Sequence, residues 1–152
     1  MHMNRTWIAA RIPHQNRMCL LDEVIDFDAC GIRCRTGSHR SPDNPLRSHG
    51  RLGIACGIEY AAQAMALHGA LAPPVQAQSA AAARSGLLAG VRDVRPRVLR
   101  LDDIESDLIC EARRIAGDGR TALYEFELRD GERKLLSGRA SVVLDAGGNF
   151  GP

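Results

Sequence analysis

The sequence is poor in several features that mark large classes of protein. Lys134 is the only lysine, 4% of the residues are aromatic, and no apolar run approaches the roughly 18 residues of a transmembrane helix. Residues 1–11 contain no apolar stretch of signal-peptide length. The five cysteines include no Cys-x-x-Cys pair, so no metal site is expected. These absences exclude a membrane-spanning protein, a disulfide scaffold and a zinc-binding module.

The remaining composition is that of an ordinary globular domain. The chain has 152 residues, 45% of them hydrophobic and 25% charged, and this length predicts one domain over residues 1–152. A net charge of +2 argues against nucleic acid as the main partner. An odd number of cysteines without a pairing pattern indicates reduced thiols, and therefore a cytoplasmic protein.

The apolar residues follow strand periodicity in all but one long segment. Alternation predicts two strands within residues 20–35 and about four more between residues 87 and 144. Asp-Gly dipeptides at 118–119 and 130–131 predict hairpin turns. Residues 52–72 are instead alanine-rich, apolar almost all round and followed by two prolines, which predicts one buried helix. An antiparallel sheet wrapped around one central helix is an α+β arrangement, the hotdog architecture.

Glu59 is the most informative residue of the predicted helix. It is a lone carboxylate in an apolar segment, and its neighbours one turn away, Ala55, Cys56 and Ala62, are small. Small neighbours leave space for another molecule to approach. A buried carboxylate without an opposite charge holds its proton more tightly, which suits it to act as a general acid. Gln63 lies one turn further along and is predicted to orient the carboxylate.

Backbone groups near Glu59 complete the chemistry that this segment predicts. The amides near Ile54 and Ala55 lie at the start of the helix, where unpaired N–H groups can polarise a carbonyl oxygen. An acid and such donors within one turn suit a reaction next to a carbonyl. The alternative is that Glu59 pairs with an arginine of the sheet and has only a structural role.

Two histidines are candidates for a base. His49 lies in the loop leading into the helix, ten residues before Glu59, and His14 lies near the first strand. Imidazole titrates near neutral pH, so either can accept a proton, and either can equally be a loop residue without a role. His39 is predicted to be solvated, and His68 to face the C-terminal dipole of the helix.

Two stretches resemble a known family, the β-hydroxyacyl-acyl carrier protein dehydratases of the hotdog superfamily. Ile12-Pro13-His14, followed by Met-Cys-Leu-Leu-Asp at residues 18–22, is similar to the opening of that family. Gly-Ile-Glu-Tyr-Ala-Ala-Gln at residues 57–63 is similar to the central helix of that family, whose glutamate is catalytic. This form of the motif resembles a divergent branch of the family that is similar to the aryl-polyene cluster dehydratases. A weaker likeness covers residues 87–103. The sequence departs from the family's Gly-His-Phe-Pro-Gly loop, whose place is taken by residues 48–51.

The resemblance implies a reaction and an assignment of roles. Water is lost from a 3-hydroxyacyl thioester to give the trans-2-enoyl thioester, in fatty-acid or polyene-type lipid biosynthesis, without a cofactor or metal. Glu59 is the implied acid and His49 the implied base, with His14 as second choice. The amides near Ile54 and Ala55 are expected to hold the thioester oxygen.

The resemblance also implies partners. In similar enzymes the histidine and the glutamate come from different protomers, so a homodimer or higher homo-oligomer is expected. The acyl group would arrive on an acyl carrier protein or on coenzyme A. Because carrier proteins are acidic, a basic patch is expected at Arg92, Arg95 and Arg97. The alternatives are a hotdog acyl thioesterase and a non-catalytic acyl-thioester-binding protein.

Overall fold

Six antiparallel strands form one sheet, and one long helix lies against its face. The computed structural model describes residues 3–12, 18–72 and 86–144. Short 3₁₀ turns at Ser38–Arg40 and Ile54–Cys56 lie in the connection before the long helix. The elements in chain order are α1 (Arg5–Ala9), β1 (Glu23–Phe27), β2 (Gly31–Thr36), α2 (Gly57–Leu71), β3 (Gly86–Pro96), β4 (Leu108–Gly117), β5 (Thr121–Asp130) and β6 (Arg133–Leu144).

The strand order is β1-β2-β4-β5-β6-β3, so α2 carries the chain from β2 to the far edge of the sheet. The two Asp-Gly dipeptides form the β4–β5 and β5–β6 turns. The Asp118 carboxylate accepts from the Thr121 amide at 2.8 Å, and Gly131 has a positive φ of 57°. The predicted hotdog arrangement, with two strands, a helix and four strands, is confirmed.

The core lies between α2 and the sheet. Alternate residues of β5 are buried, as the sequence pattern predicts. At the start of α2, a Cβ on Gly57 would lie 2.6 Å from a methyl carbon of Leu136, so glycine permits the close approach of helix and sheet. Each fully buried leucine stabilises the fold by about 1.5–3 kcal/mol, whereas exposed ion pairs such as Arg33–Asp26 are screened by solvent and contribute little. Packing against α2 therefore dominates the stability.

Several boundaries differ from the prediction. The helix begins at Gly57 rather than at residue 52, because Leu52 and Gly53 pair with the segment before β4: the Leu101 amide donates to the Leu52 carbonyl at 2.7 Å, and Gly53 bridges Arg100. The first strand begins at Glu23 rather than at residue 20. The short helix α1, capped by Asn4, was not predicted. None of the helices described is long and apolar enough to cross a membrane.

Candidate active site

Glu59 lies in the first turn of α2, on the side that the sheet does not cover. Its side chain is half-buried, as are those of Ile58 and Ala62, whereas the opposite side of the helix is fully buried. The expectation of a buried carboxylate is therefore wrong for the single chain. Of the small neighbours, Ala55 is exposed and Ala62 is half-buried, and the predicted space beside Glu59 stays a prediction. Part of the Glu59 side chain is therefore exposed at the start of α2.

Gln63 has a different role from the one predicted. Its Oε1 accepts from the Leu20 amide at 2.8 Å, and its Nε2 donates to the Met18 carbonyl at 2.6 Å. Both ends of this buried amide are therefore bonded to the segment before β1. Gln63 holds that segment against α2 rather than orienting Glu59, so the two stretches that carried the family resemblance contact each other directly.

Tyr60 fixes the loop after β2 to the same region. The Asn44 side-chain amide donates to the Tyr60 hydroxyl at 3.1 Å, and Ser38 Oγ lies 2.8 Å from it. Because Ser38 donates its own proton to the Leu20 carbonyl, the Tyr60 hydroxyl donates to Ser38. Burial raises the pKa of Tyr60, so the hydroxyl keeps its proton. Sequence analysis missed this network, because Ser38 and Asn44 lie in a polar loop and contact Tyr60 only in the folded chain.

His49 occupies a tight turn on the approach to α2. Ser48 and Arg51 exchange backbone hydrogen bonds of 2.9 and 3.0 Å around His49 and Gly50, which have positive φ angles of 54° and 75°. Positive φ at both central residues defines a type I′ turn. The ring is exposed, and its Nδ1 lies 3.0 Å from Ser48 Oγ. His14, the second candidate base, lies outside the described residues.

The two predicted amide donors differ in whether they are already hydrogen-bonded. The Ile54 amide donates to the Leu99 carbonyl at 3.0 Å, so it is already used. The Ala55 amide remains a candidate for holding a thioester oxygen. Cys56, in the same turn, donates to the Leu46 carbonyl at 3.7 Å, and burial raises the pKa of its thiol. The thiol is therefore protonated near neutral pH.

The remaining histidines differ from their predicted roles. His39 is fully buried rather than solvated, and its Nε2 bonds to the Ile104 carbonyl at 3.0 Å. His68 is also fully buried rather than only facing a helix dipole: its ring bonds to the Tyr124 hydroxyl at 2.7 Å and to the Asp28 carbonyl at 2.9 Å. Burial lowers the pKa of both rings. Both therefore hold elements together.

One groove of the described residues lies away from Glu59. It has a volume of about 780 Å³ and lies on the face of the sheet opposite α2, where no residue of α2 lines it. Charged residues of both signs line it, and several are paired, as in Arg139 with Glu125. Ligand sites are usually mostly apolar with a few polar groups, so this groove is a poor candidate for the acyl chain.

The fold and the glutamate at the start of its central helix define a hotdog-type protein with a half-buried candidate acid. A family model described as ApeP-like, ApeP dehydratase, matches residues 6–147. The chain belongs to this family of dehydratases. The predicted dehydration is therefore confirmed.

Solved structures agree on the fold. The dehydratase heterocomplex ApeI:P from Xenorhabdus doucetiae is 24% identical, with a TM-score of 0.75 and coverage of 91% of this chain and 90% of that one. A thioesterase from Pseudomonas aeruginosa is 12% identical, with a TM-score of 0.58 and coverage of 80% and 79%. A hypothetical thioesterase with coenzyme A from Streptococcus pneumoniae is 10% identical, with a TM-score of 0.58 and coverage of 81% and 84%. No curated protein sequence matches significantly.

Proposed function

We propose that this protein removes water from a 3-hydroxyacyl chain carried by an acyl carrier protein, giving the trans-2-enoyl thioester in polyene-type lipid biosynthesis. Membership of the ApeP-like dehydratases is the observation that carries the reaction type. The position of Glu59 on the open side of α2 supports the site. The thioesterase likenesses rest on 10% and 12% identity and support the fold alone.

The reaction needs a base, an acid and donors to the thioester oxygen. In our proposal the base takes a proton from the carbon between the thioester carbonyl and the hydroxyl-bearing carbon. The electron pair forms the double bond as the C–O bond to the hydroxyl breaks, and Glu59 protonates the departing oxygen. The Ala55 amide holds the charge that grows on the thioester oxygen. His49 is the proposed base, and His14 is the second candidate.

The site is proposed to be completed by a second subunit. The outer side of β1 is bonded to the start of the chain, since the Val24 amide donates to the Met3 carbonyl at 2.9 Å. Across the described residues, no strand pairs with the outer side of β3. Unpaired strand edges are usually covered, and a dimer through β3 would cover this one. The second subunit is a copy of this chain or, as in the ApeI:P heterocomplex, a different dehydratase chain.

The carrier is proposed from the positive charge on and just after β3. Arg92, Arg95 and Arg97 are exposed on and just after β3, and acyl carrier proteins are acidic. We place the reaction in the cytoplasm, because the five cysteines are all free thiols.

Mass spectrometry of the acyl group tests this proposal. The protein is incubated with a 3-hydroxyacyl group on carrier protein and on coenzyme A, alone and after co-purification with any natural partner subunit. Loss of water is expected, and Glu59→Gln should reduce its rate by about two to four orders of magnitude, the range for a general acid. His49→Asn removes the basic ring but keeps a residue that tolerates positive φ, so it tests the chemistry without disrupting the turn.

The outcomes separate the alternatives. Full activity in His49→Asn and loss in His14→Asn would move the base to His14. Free acid in place of the enoyl product would identify a thioesterase and overturn the proposal. Thioester binding without any turnover would indicate a non-catalytic acyl-binding protein.

A further inference from the structure

Leu99 is the most exposed large hydrophobic side chain of the described residues, at 88% exposure. Its backbone is nevertheless held firmly. The Leu99 carbonyl accepts from the Ile54 amide at 3.0 Å, and Arg100 bridges Gly53 and forms an ion pair with Asp102. Hydrogen bonding by Arg100 holds the pKa of Asp102 well below its usual range. A hydrogen-bonded turn therefore presents this leucine to solvent, and the side chain buries little of its surface against the described residues.

The arginines around this turn differ from most others in the protein. Over the described ranges, Arg51, Arg92, Arg95 and Arg97 are exposed and form no ion pair. Carboxylates lie near some of these arginines: Asp103 lies 3.9 Å from Arg100, and Arg95 shares a groove with Asp93, Glu125 and Glu127. Eight arginines pair with a carboxylate: Arg5, Arg33, Arg35, Arg40, Arg100, Arg129, Arg133 and Arg139.

The other unpaired arginines lie elsewhere or are used differently. Arg11, Arg47 and Arg114 donate to backbone carbonyls. Arg113 and Arg120 lie towards the β4–β5 turn, at the end of the sheet far from Leu99. Unneutralised positive charge is therefore concentrated next to the exposed leucine, and this combination fits an acidic protein surface with an apolar spot.

We propose that Leu99 is the apolar centre of a docking site for the acidic carrier protein, with Arg51 and Arg97 as its charged rim. The turn is bonded directly to Ile54, about one turn before α2, so a carrier docked there lies close to Glu59. This inference rests on the proposed function, because it takes the carrier protein as the bearer of the substrate. It adds an apolar anchor to the charged patch, and such anchors dominate binding in many interfaces.

Binding of acyl carrier protein without turnover provides the test. The dissociation constant for the carrier is measured by calorimetry at low and high salt for the intact assembly, for Leu99→Asp and for Arg97→Glu. Each substitution is expected to weaken binding at least about tenfold, and the loss for Arg97→Glu should shrink at high salt. Arg120→Glu and Ile115→Asp, at an exposed arginine and an exposed isoleucine far from the turn, are the matched controls.

The results of these binding measurements either support or contradict carrier docking at Leu99. An unchanged dissociation constant in Leu99→Asp overturns the proposal, as does equal weakening by the controls. A change in the mass of the assembly in Leu99→Asp places Leu99 in a subunit contact instead. If a variant lowers kcat/KM equally for the carrier-bound and the coenzyme A-bound substrate, the site binds the phosphate that both substrates contain and not the carrier protein. Because the binding assay needs no turnover, inactivity towards all substrates would refute the proposed function without deciding carrier docking.

Discussion

The Gln63 side chain links α2 to the segment before β1 through two hydrogen bonds, one of them to a buried amide. Gln63→Met keeps the volume but leaves the Leu20 amide unpaired, and we expect the free energy of unfolding to fall by about 1–3 kcal/mol. Urea denaturation measures the change, and Ala62→Met, on the half-buried side of α2, is the control. A shifted pH profile of kcat with unchanged stability would show instead that Gln63 orients Glu59.

The buried histidines make the stability depend on pH. Burial lowers the pKa of His39 and His68 below the ordinary value near 6.5, so the unfolded chain takes up protons first as the pH falls. Their stabilising contribution is present above pH 6.5 and is lost as the pH falls towards the native pKa, by up to about 1.4 kcal/mol per pH unit for each ring.

Denaturation between pH 7 and 5 measures this slope. The charged groups near the rings are Arg40 and Asp107 for His39, and Arg114 and Asp28 for His68. The arginines do not titrate in this range, and the Asp28 carboxyl, whose pKa is lowered by backbone hydrogen bonds, titrates below it. His68→Gln should flatten the slope. A stability that stays constant down to pH 5 would contradict the prediction.

At the scale of elements, the turn at residues 48–51 holds the candidate base in a conformation that favours glycine. Gly50→Ala, at a φ of 75°, should destabilise the protein by about 1–2 kcal/mol, whereas His49→Gly should stabilise it by up to about 1 kcal/mol while removing the ring. Thermal unfolding measures both. A stabilised His49→Gly variant without activity would show that His49 is kept for function. A His49→Gly variant as active as the unchanged protein would argue that the ring has no role in the reaction.

The sequence predicted the strands because one face of the sheet packs on α2, which imposes strict alternation, as in β5. It predicted Glu59 because a charge in an apolar helix stands out. It missed the start of α2, because Leu52 and Gly53 are compatible with either a helix or a β-bridge. Their pairing with Leu101 and Arg100, which places them outside the helix, involves residues distant in the sequence. It also missed the burial of His39, because a loop histidine becomes buried only through a distant segment, here at Ile104.

At the scale of the whole molecule, our proposal gives one chain only part of the site. The side of α2 that carries Glu59 is not covered by its own sheet, and β3 offers an unpaired outer side within the part of the chain that the structure describes. Leu88 and Val94 of β3 are also partly exposed, at 40% and 37%. We propose that an additional subunit covers these features.

This arrangement predicts that assembly and activity depend on the β3 edge. The pair Leu88→Asp and Val94→Asp places two carboxylates on that edge, and burying unpaired charge in an interface is strongly unfavourable. We expect light scattering to show the mass falling to that of one chain, with dehydration lost and circular dichroism unchanged. Ile115→Asp, at 40% exposure on β4, is the matched control and should leave the mass unaltered. A variant that keeps both its assembly mass and its activity would show that the second subunit binds elsewhere, and that Glu59 is completed by its own chain.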